Sequence, residues 1–148
     1  MAWLTGIEKS YLAGIIDGEG SIGICRRLRR NSIEYRCRMR ITNTSEELMN
    51  FLEEKFKEQG YYIKIKRSRD YRRKPIYEFE LGDRLTIKFL TEVLPYLIIK
   101  KKQAENAIKL KETYNGYVRH KSIPTEVTKI REECYVLQKQ LNQRGNNS

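Results

Sequence analysis

The stretch Tyr11-Leu-Ala-Gly-Ile-Ile-Asp-Gly-Glu-Gly20 decides how this chain folds. From Tyr11 to Ile16 every residue is apolar, aromatic or glycine. A helix that is apolar nearly all round needs cover on more than one side. One side can pack on the chain's own sheet; the other needs a second surface. Gly14 and Gly18 lie four residues apart on one helix face, where missing side chains permit close backbone approach. A symmetric helix pair across a twofold axis meets both demands. It assigns Tyr11, Ala13, Gly14, Asp17 and Gly18 to a homodimer interface. Asp17 and Glu19 follow at the helix C-terminus, where the macrodipole is already negative. Two copies would crowd these carboxylates near the axis, and a bound cation resolves the conflict. Hard oxygen ligands without His or Cys suit Mg²⁺, with Mn²⁺ as its expected substitute. An Asp-Gly-Glu-Gly segment by itself would be only a helix stop. Its coupling to an all-apolar helix and to a cationic sheet is what favours a site.

Outward from this helix the pattern is regular. Thr5-x-x-Glu8 is a capping box, so the helix is expected from Ile7 to about Asp17, ended by Gly18 and Gly20. Residues 21–29 and 34–42 read as strands joined by a turn near Asn31-Ser32. A second capping box, Thr44-x-x-Glu47, opens a helix through Phe56 that stops at Gly60. Residues 61–68 and 75–81 read as another strand pair. Gly82-Asp83 opens a third helix, from Leu85 to about Leu94, which Pro95 interrupts. Helices over 101–114 and 125–141 follow, separated by a loop with Gly116 and Pro124, and residues 142–148 read as a frayed tail. The expectation is one α+β domain over 1–148, in the order αββαββα, with a four-stranded antiparallel sheet and extra C-terminal helices.

Alternation gives the sheet two unlike faces. Tyr35, Cys37, Met39 and Ile41 share one side; Arg36, Arg38 and Arg40 share the other. In the first strand Ile22, Ile24 and Leu28 oppose Ser21, Gly23, Cys25, Arg27 and Arg29. In the third, Ile63 and Ile65 oppose Tyr62, Lys64 and Lys66; in the fourth, Tyr77, Phe79 and Leu81 oppose Ile76, Glu78 and Glu80. One face takes the helices. The other carries a row of like charges that stability does not ask for, which points to a polyanion. Such a sheet can enter the major groove of double-stranded DNA, with Arg on guanine and Glu78 or Glu80 on cytosine. Residues near Arg26–Arg30 and Arg67–Lys74, including Arg69, Arg72 and Arg73, would hold phosphates.

Composition agrees. The chain has 148 residues and a formal net charge of +11, which predicts a polyanionic partner. Cys25, Cys37 and Cys134 are three, widely spaced, without a CxxC pair, and His120 is the single histidine. This excludes a disulfide framework, a zinc cluster and a His-based triad. No apolar run reaches membrane-spanning length and no signal peptide is visible, so a soluble protein kept inside a cell or organelle is expected, with no membrane partner.

Leu12-Ala-Gly-Ile-Ile-Asp-Gly-Glu-Gly20 closely resembles the nine-residue LAGLIDADG motif of the homing endonucleases, departing from it at Ile15, Gly18 and Glu19. Pro95-Tyr-Leu-Ile-Ile-Lys-Lys-Lys-Gln-Ala104 resembles the segment after the third helix of single-motif members. The resemblance implies a homodimeric, metal-dependent endonuclease that cuts both strands of a long, near-palindromic DNA site. It implies metal ligation by Glu19 and the Gly18 carbonyl, a structural role for Asp17, and a fixed charge at the scissile phosphate from Lys100. Solvent would be oriented by Asn43, or by Thr44 if the alignment slips by one. Lys101 and Lys102 read better as phosphate contacts. Only one motif is present, as in the members that are intron-encoded homodimers. Two rivals stay open on the same fold: a maturase binding intron RNA, and a regulator that binds DNA without cutting it.

Overall fold

The computed structural model describes residues 3–68, 74–115 and 122–143. Helix α1 (Gly6–Glu19) starts on the expected capping box. Thr5 Oγ1 accepts the Glu8 amide at 3.1 Å and Glu8 Oε1 accepts the Thr5 amide at 3.0 Å. The helix runs two residues beyond its expected end. Gly18 does not stop it; Gly20 does, turning to extended geometry while its own N–H still donates to the Ile16 carbonyl. A Cβ at Gly20 would lie 2.9 Å from Ile16 Cα and O, so only glycine lets the helix pass straight into a strand here.

That strand, β1 (Gly20–Arg29), pairs antiparallel along its whole length with β2 (Ser32–Asn43). The hairpin turns over Arg30, whose φ is +50°, and Asn31, so β2 begins two residues earlier than expected. After β2, helix α2 (Glu46–Glu58) is capped by Ser45 and not by Thr44: Ser45 Oγ accepts the Leu48 amide at 3.1 Å. The shift follows from Asn43, which ends β2 and accepts the Ser45 amide on Oδ1 at 2.7 Å.

The second strand pair is short. Strand β3 is only Lys66–Arg67 and β4 is Tyr77–Leu81. Alternation nevertheless persists over 61–65: Tyr61, Ile63 and Ile65 lean on the core while Tyr62 and Lys64 point out. The ladder to β4 exists only where the two segments converge, at Lys66 opposite Glu78 and Arg67 opposite Tyr77. Sheet order is β1-β2-β4-β3, antiparallel throughout.

Helix α3 (Asp83–Val93), a short 3₁₀ turn (Leu94–Tyr96), α4 (Lys101–Glu112) and α5 (Thr125–Leu141) complete the chain, and all helices lie on the apolar face. Strand β4 ends opposite Met39, which leaves the inner amides of β2 without strand partners. Side chains finish the ladder: Tyr114 Oη accepts from Tyr35 N, Asp83 Oδ1 from Cys37 N and Thr86 Oγ1 from Met39 N, at 2.9 to 3.2 Å. Helix α5 holds the rear of β1, with Gln138 and Asn142 both donating to the Ile22 carbonyl. The core gathers Leu12, Ile16, Ile22, Met39, Ile41, Met49, Leu52, Phe56, Phe79, Leu81, Phe89 and Leu90. Leu28, expected on this face, is 73% exposed because β1 overhangs the helices there. Among the described residues no helix is long and apolar enough to cross a membrane. The tail over 144–148 and the 116–121 segment lie outside the described residues.

Candidate active site and nucleic-acid interface

At the end of α1, four of the sequence-predicted residues come together. Glu19 closes the helix and Asn43 closes β2, beside the start of β1. Asn43 Nδ2 donates to Glu19 Oε2, so Asn43, not Thr44, is the residue that touches the carboxylate. Its amide oxygen is already committed to Ser45, which fixes the amide's orientation. Asp17 faces the opposite way. Its Oδ2 accepts from Ile98 N and its Oδ1 from Lys100 N, each at 2.9 Å. The Lys100 ammonium then donates to the Asp17 carbonyl at 2.9 Å. A cation at a helix C-terminus satisfies a carbonyl that the helix leaves free and opposes the negative end of the dipole. Asp17 thus ties the segment before α4 to α1 and holds Lys100 at the C-terminal end of that helix.

Lys100 is the N-cap residue of α4, and Lys101 and Lys102 stand exposed in its first turn. Among the described residues no three His, Cys, Asp or Glu side chains cluster in a way that could hold a metal ion, and Glu19 makes no salt bridge. The described residues therefore offer the Glu19 carboxylate and backbone oxygens such as that of Gly18, but not a full acidic ligand set.

The exposed side of α1 differs in one residue from expectation. Ala13 is fully buried in the chain's own core. At about 100° per residue it lies roughly 200° round the helix from Tyr11, so it faces inward. Ile7, Tyr11, Gly14 and Gly18 form the outward stripe, and Ile98 and Ile99 are exposed beside it at 84% and 57%. A Cβ at Gly14 or Gly18 would meet nothing within 4 Å, so nothing in the single chain requires glycine at either position. Asp17 is half-buried and spends its carboxylate on the Ile98 and Lys100 amides.

The outer sheet face carries the expected residues but not as a bare row of charge. Ser21 is exposed, Cys25 is half-exposed, and Tyr62, Lys64, Lys66 and Ile76 extend the surface across β3 and β4, whereas Arg67, opposite Tyr77, turns to the other face and lies 5.9 Å from the centre of the Tyr77 ring. Arg40 meets Glu78 at 2.9 Å and Glu80 at 3.4 Å; Arg38 lies 3.8 Å from Glu80; Lys66 lies 4.0 Å from both. Arg36, Arg29 and Arg27 surround Glu34. Glu34 was readable by alternation, since it shares a face with Arg36, Arg38 and Arg40, yet the arginine row obscured it. Partial burial pushes the Glu34 carboxyl up, but the Arg36 hydrogen bond and the charges of Arg36, Arg29 and Arg27 outweigh this and hold it below the ordinary glutamate range. Arg26 departs from the phosphate-holding group: it turns to the helical side, pairs with Glu132 and lies 4.5 Å over the Tyr135 ring. Arg69, Arg72 and Arg73 lie outside the described residues.

The family described as LAGLIDADG-like domain matches residues 7–110. No curated protein sequence matches the chain. Solved structures do. The homing endonuclease I-CvuI, in complex with its target in the presence of calcium, superposes with a TM-score of 0.66 at 19% identity, over 94% of this chain and 83% of that one. The archaeal intron-encoded homing endonuclease I-Vdi141I, complexed with DNA, gives 0.70 at 17% identity, over 94% and 86%. The meganuclease I-SmaMI, bound to uncleavable DNA, gives 0.60 at 15% identity, over 93% of this chain but only 45% of that one. With the motif at the hinge between α1 and β1, the αββαββα order behind it and a family match over most of its length, this chain belongs to the LAGLIDADG homing endonuclease family.

Proposed function

We propose that this chain, as a single domain, is a site-specific DNA endonuclease that works as a homodimer and hydrolyses both strands of a long, near-palindromic duplex. The observation that carries the proposal is the contact of Glu19 with Asn43, next to the Asp17-held Lys100, where α1 passes into the arginine-bearing sheet. Cutting a phosphodiester needs a water to attack phosphorus, positive charge to balance the phosphoryl oxygens, and a proton for the leaving oxygen. Lys100 provides fixed positive charge for the phosphate. Asn43 holds one oxygen of Glu19 and orients solvent beside it.

Glu19 and the Gly18 carbonyl are hard oxygen donors and would hold Mg²⁺, with Mn²⁺ as a substitute. The donor set would be filled by a second chain's Glu19 and by phosphate oxygens of the DNA, since among the described residues no three acidic, His or Cys side chains cluster to hold a metal. When bound, the metal supplies Lewis acidity and a more acidic water. Structures of I-CvuI on DNA in the presence of calcium and of magnesium are in keeping with this. The stripe of Ile7, Tyr11, Gly14 and Gly18 supports the dimer.

In the DNA complex, Arg36, Arg38, Arg40, Arg27, Arg29, Ser21, Cys25, Tyr62, Lys64, Lys66, Ile76, Glu78 and Glu80 would face the duplex, and Arg67, Arg69, Arg72 and Arg73 would reach phosphates. Lys101 and Lys102 would hold backbone near the cut. The test is selection of cleavable sites from a random DNA pool with Mg²⁺. Recovery of one near-palindromic site, cut on both strands, is expected. Binding without cutting would point to a regulator, and preference for structured RNA to a maturase.

A further inference from the structure

Glu34 lies within β2, directly opposite Arg27 on β1, and its carboxylate meets three guanidinium groups. Oε1 accepts from Arg36 Nε at 2.7 Å. Oε2 lies 3.1 Å from Arg29 Nε and 3.8 Å from Arg27 Nη2. The three arginine side chains remain 52% to 57% exposed, whereas the glutamate is only 24% exposed. Oε2 is shielded from solvent and meets its cations as charges, without an aligned hydrogen bond. One oxygen of the carboxylate is thus well held and the other is poorly satisfied.

A backbone phosphodiester presents the same features to such a cluster: one negative charge shared by two terminal oxygens. Guanidinium groups hold phosphate and carboxylate by the same planar fork. We propose that Arg27, Arg29 and Arg36 form a cradle for one DNA backbone phosphate, and that Glu34 fills this cradle in the free protein as an internal competitor. A duplex seated in register brings a phosphate that displaces the carboxylate. A duplex touching the face loosely does not, and meets a cluster whose positive charge the carboxylate has reduced by one. Glu34 therefore acts on specificity, by lowering affinity for DNA of the wrong sequence more than for the target. The inference rests on the DNA reading given above and adds the role of a residue that reading leaves out. Its physical rival is that Glu34 only organises the arginines, in which case removing its charge would loosen them and weaken all DNA binding.

The two predict opposite signs. Fluorescence anisotropy over a salt series, with a short random-sequence duplex as probe, compares the intact chain with Glu34→Gln, Glu34→Asp and Glu53→Gln, the last on the exposed side of α2. Glu34→Gln should bind the random duplex about threefold to tenfold more tightly at low salt, with a salt slope steeper by about one phosphate contact. Glu34→Asp, which keeps the charge, should stay near the unaltered chain, as should Glu53→Gln. Equal or weaker binding by Glu34→Gln, or an equal gain in Glu53→Gln or Glu34→Asp, overturns the proposal. An unaltered chain that binds no duplex at all overturns the DNA reading and this inference with it.

Discussion

Two sets of carboxylates sit among basic residues in this molecule, and they are treated differently. On the sheet face Glu34, Glu78 and Glu80 are each within reach of two or more arginine or lysine side chains. At the end of α1, Asp17 takes two backbone amides and Glu19 takes one side-chain amide, and neither has a salt-bridge partner among the described residues. The sheet carboxylates meet cations from within; Glu19, at the negative end of a helix, meets none among the described residues. An exposed carboxylate at that end of a helix is one that a cation arriving from outside would favour. On the proposed reading, the difference would separate a surface that regulates how DNA is held from a point at which chemistry can be done.

The largest test of that division is Glu19→Gln, which preserves shape and the Asn43 contact but removes the charge. Cutting should fall about a thousandfold, the size expected when a charge-stabilising group is lost from a hydrolytic site, while duplex affinity shifts by no more than about threefold. Parallel loss of binding, in a gel-shift titration beside the cleavage assay, would erase the contrast between the two carboxylate sets. Next comes Gly14→Leu. Each inserted side chain at a helix-helix contact costs about 1–3 kcal/mol of overpacking, so two copies should weaken self-association roughly a hundredfold. The single chain should melt no lower, since a Cβ at Gly14 meets nothing. Sedimentation at several concentrations reads the first effect and thermal denaturation the second; an unchanged dimer would place the axis elsewhere.

A smaller effect is expected from replacing Arg38 and Arg40 together by Gln. This removes two cations and leaves Glu78 and Glu80 to repel the phosphates, so affinity should drop about tenfold and the salt slope should flatten by one to two contacts or about that. Equal affinity and slope would mean that the face is only a solvated surface. The smallest test uses the cysteines. Burial, with the nearby Asp83 charge, pushes the Cys37 thiol up to about 12, and burial likewise pushes Cys134 up. Only the thiolate reacts, and a raised thiol pKa means less thiolate at mildly alkaline pH. Cys25, half-exposed and opposite Arg36, should therefore be alkylated first, and bound duplex should slow its labelling severalfold. Labelling unaffected by DNA would argue that the duplex sits on another surface.

Much of this organisation was legible in the chain itself, for local reasons. The Thr5–Glu8 box spans four residues, and strict alternation in β2 assigns Tyr35, Cys37, Met39 and Ile41 to the core by backbone geometry alone. The candidate acid, amide and lysine at the α1 end were found through the motif and its family. What escaped needed neighbours distant in sequence. Strand β3 shrank to two residues because a ladder needs a partner at the right distance, and residues 61–65 keep their alternation without one. Ser45 displaced Thr44 as a cap because Asn43 had been drawn to Glu19. Ala13 turned inward because helical phase, not sequence proximity to Gly14, decides which side meets a partner.

Sequence by itself determined the apolar helix, the glycines along its outer stripe, the acidic residue at its end and the overall positive charge, since each depends on residue type and spacing within a few positions. Only the tertiary structure decided that Asp17 would grip the backbone of Ile98 and Lys100, more than eighty residues away, and which arginines each of Glu34, Glu78 and Glu80 would meet. Strand register and helix docking set those distances, and Coulomb attraction acts on distance in space, whatever the separation along the chain.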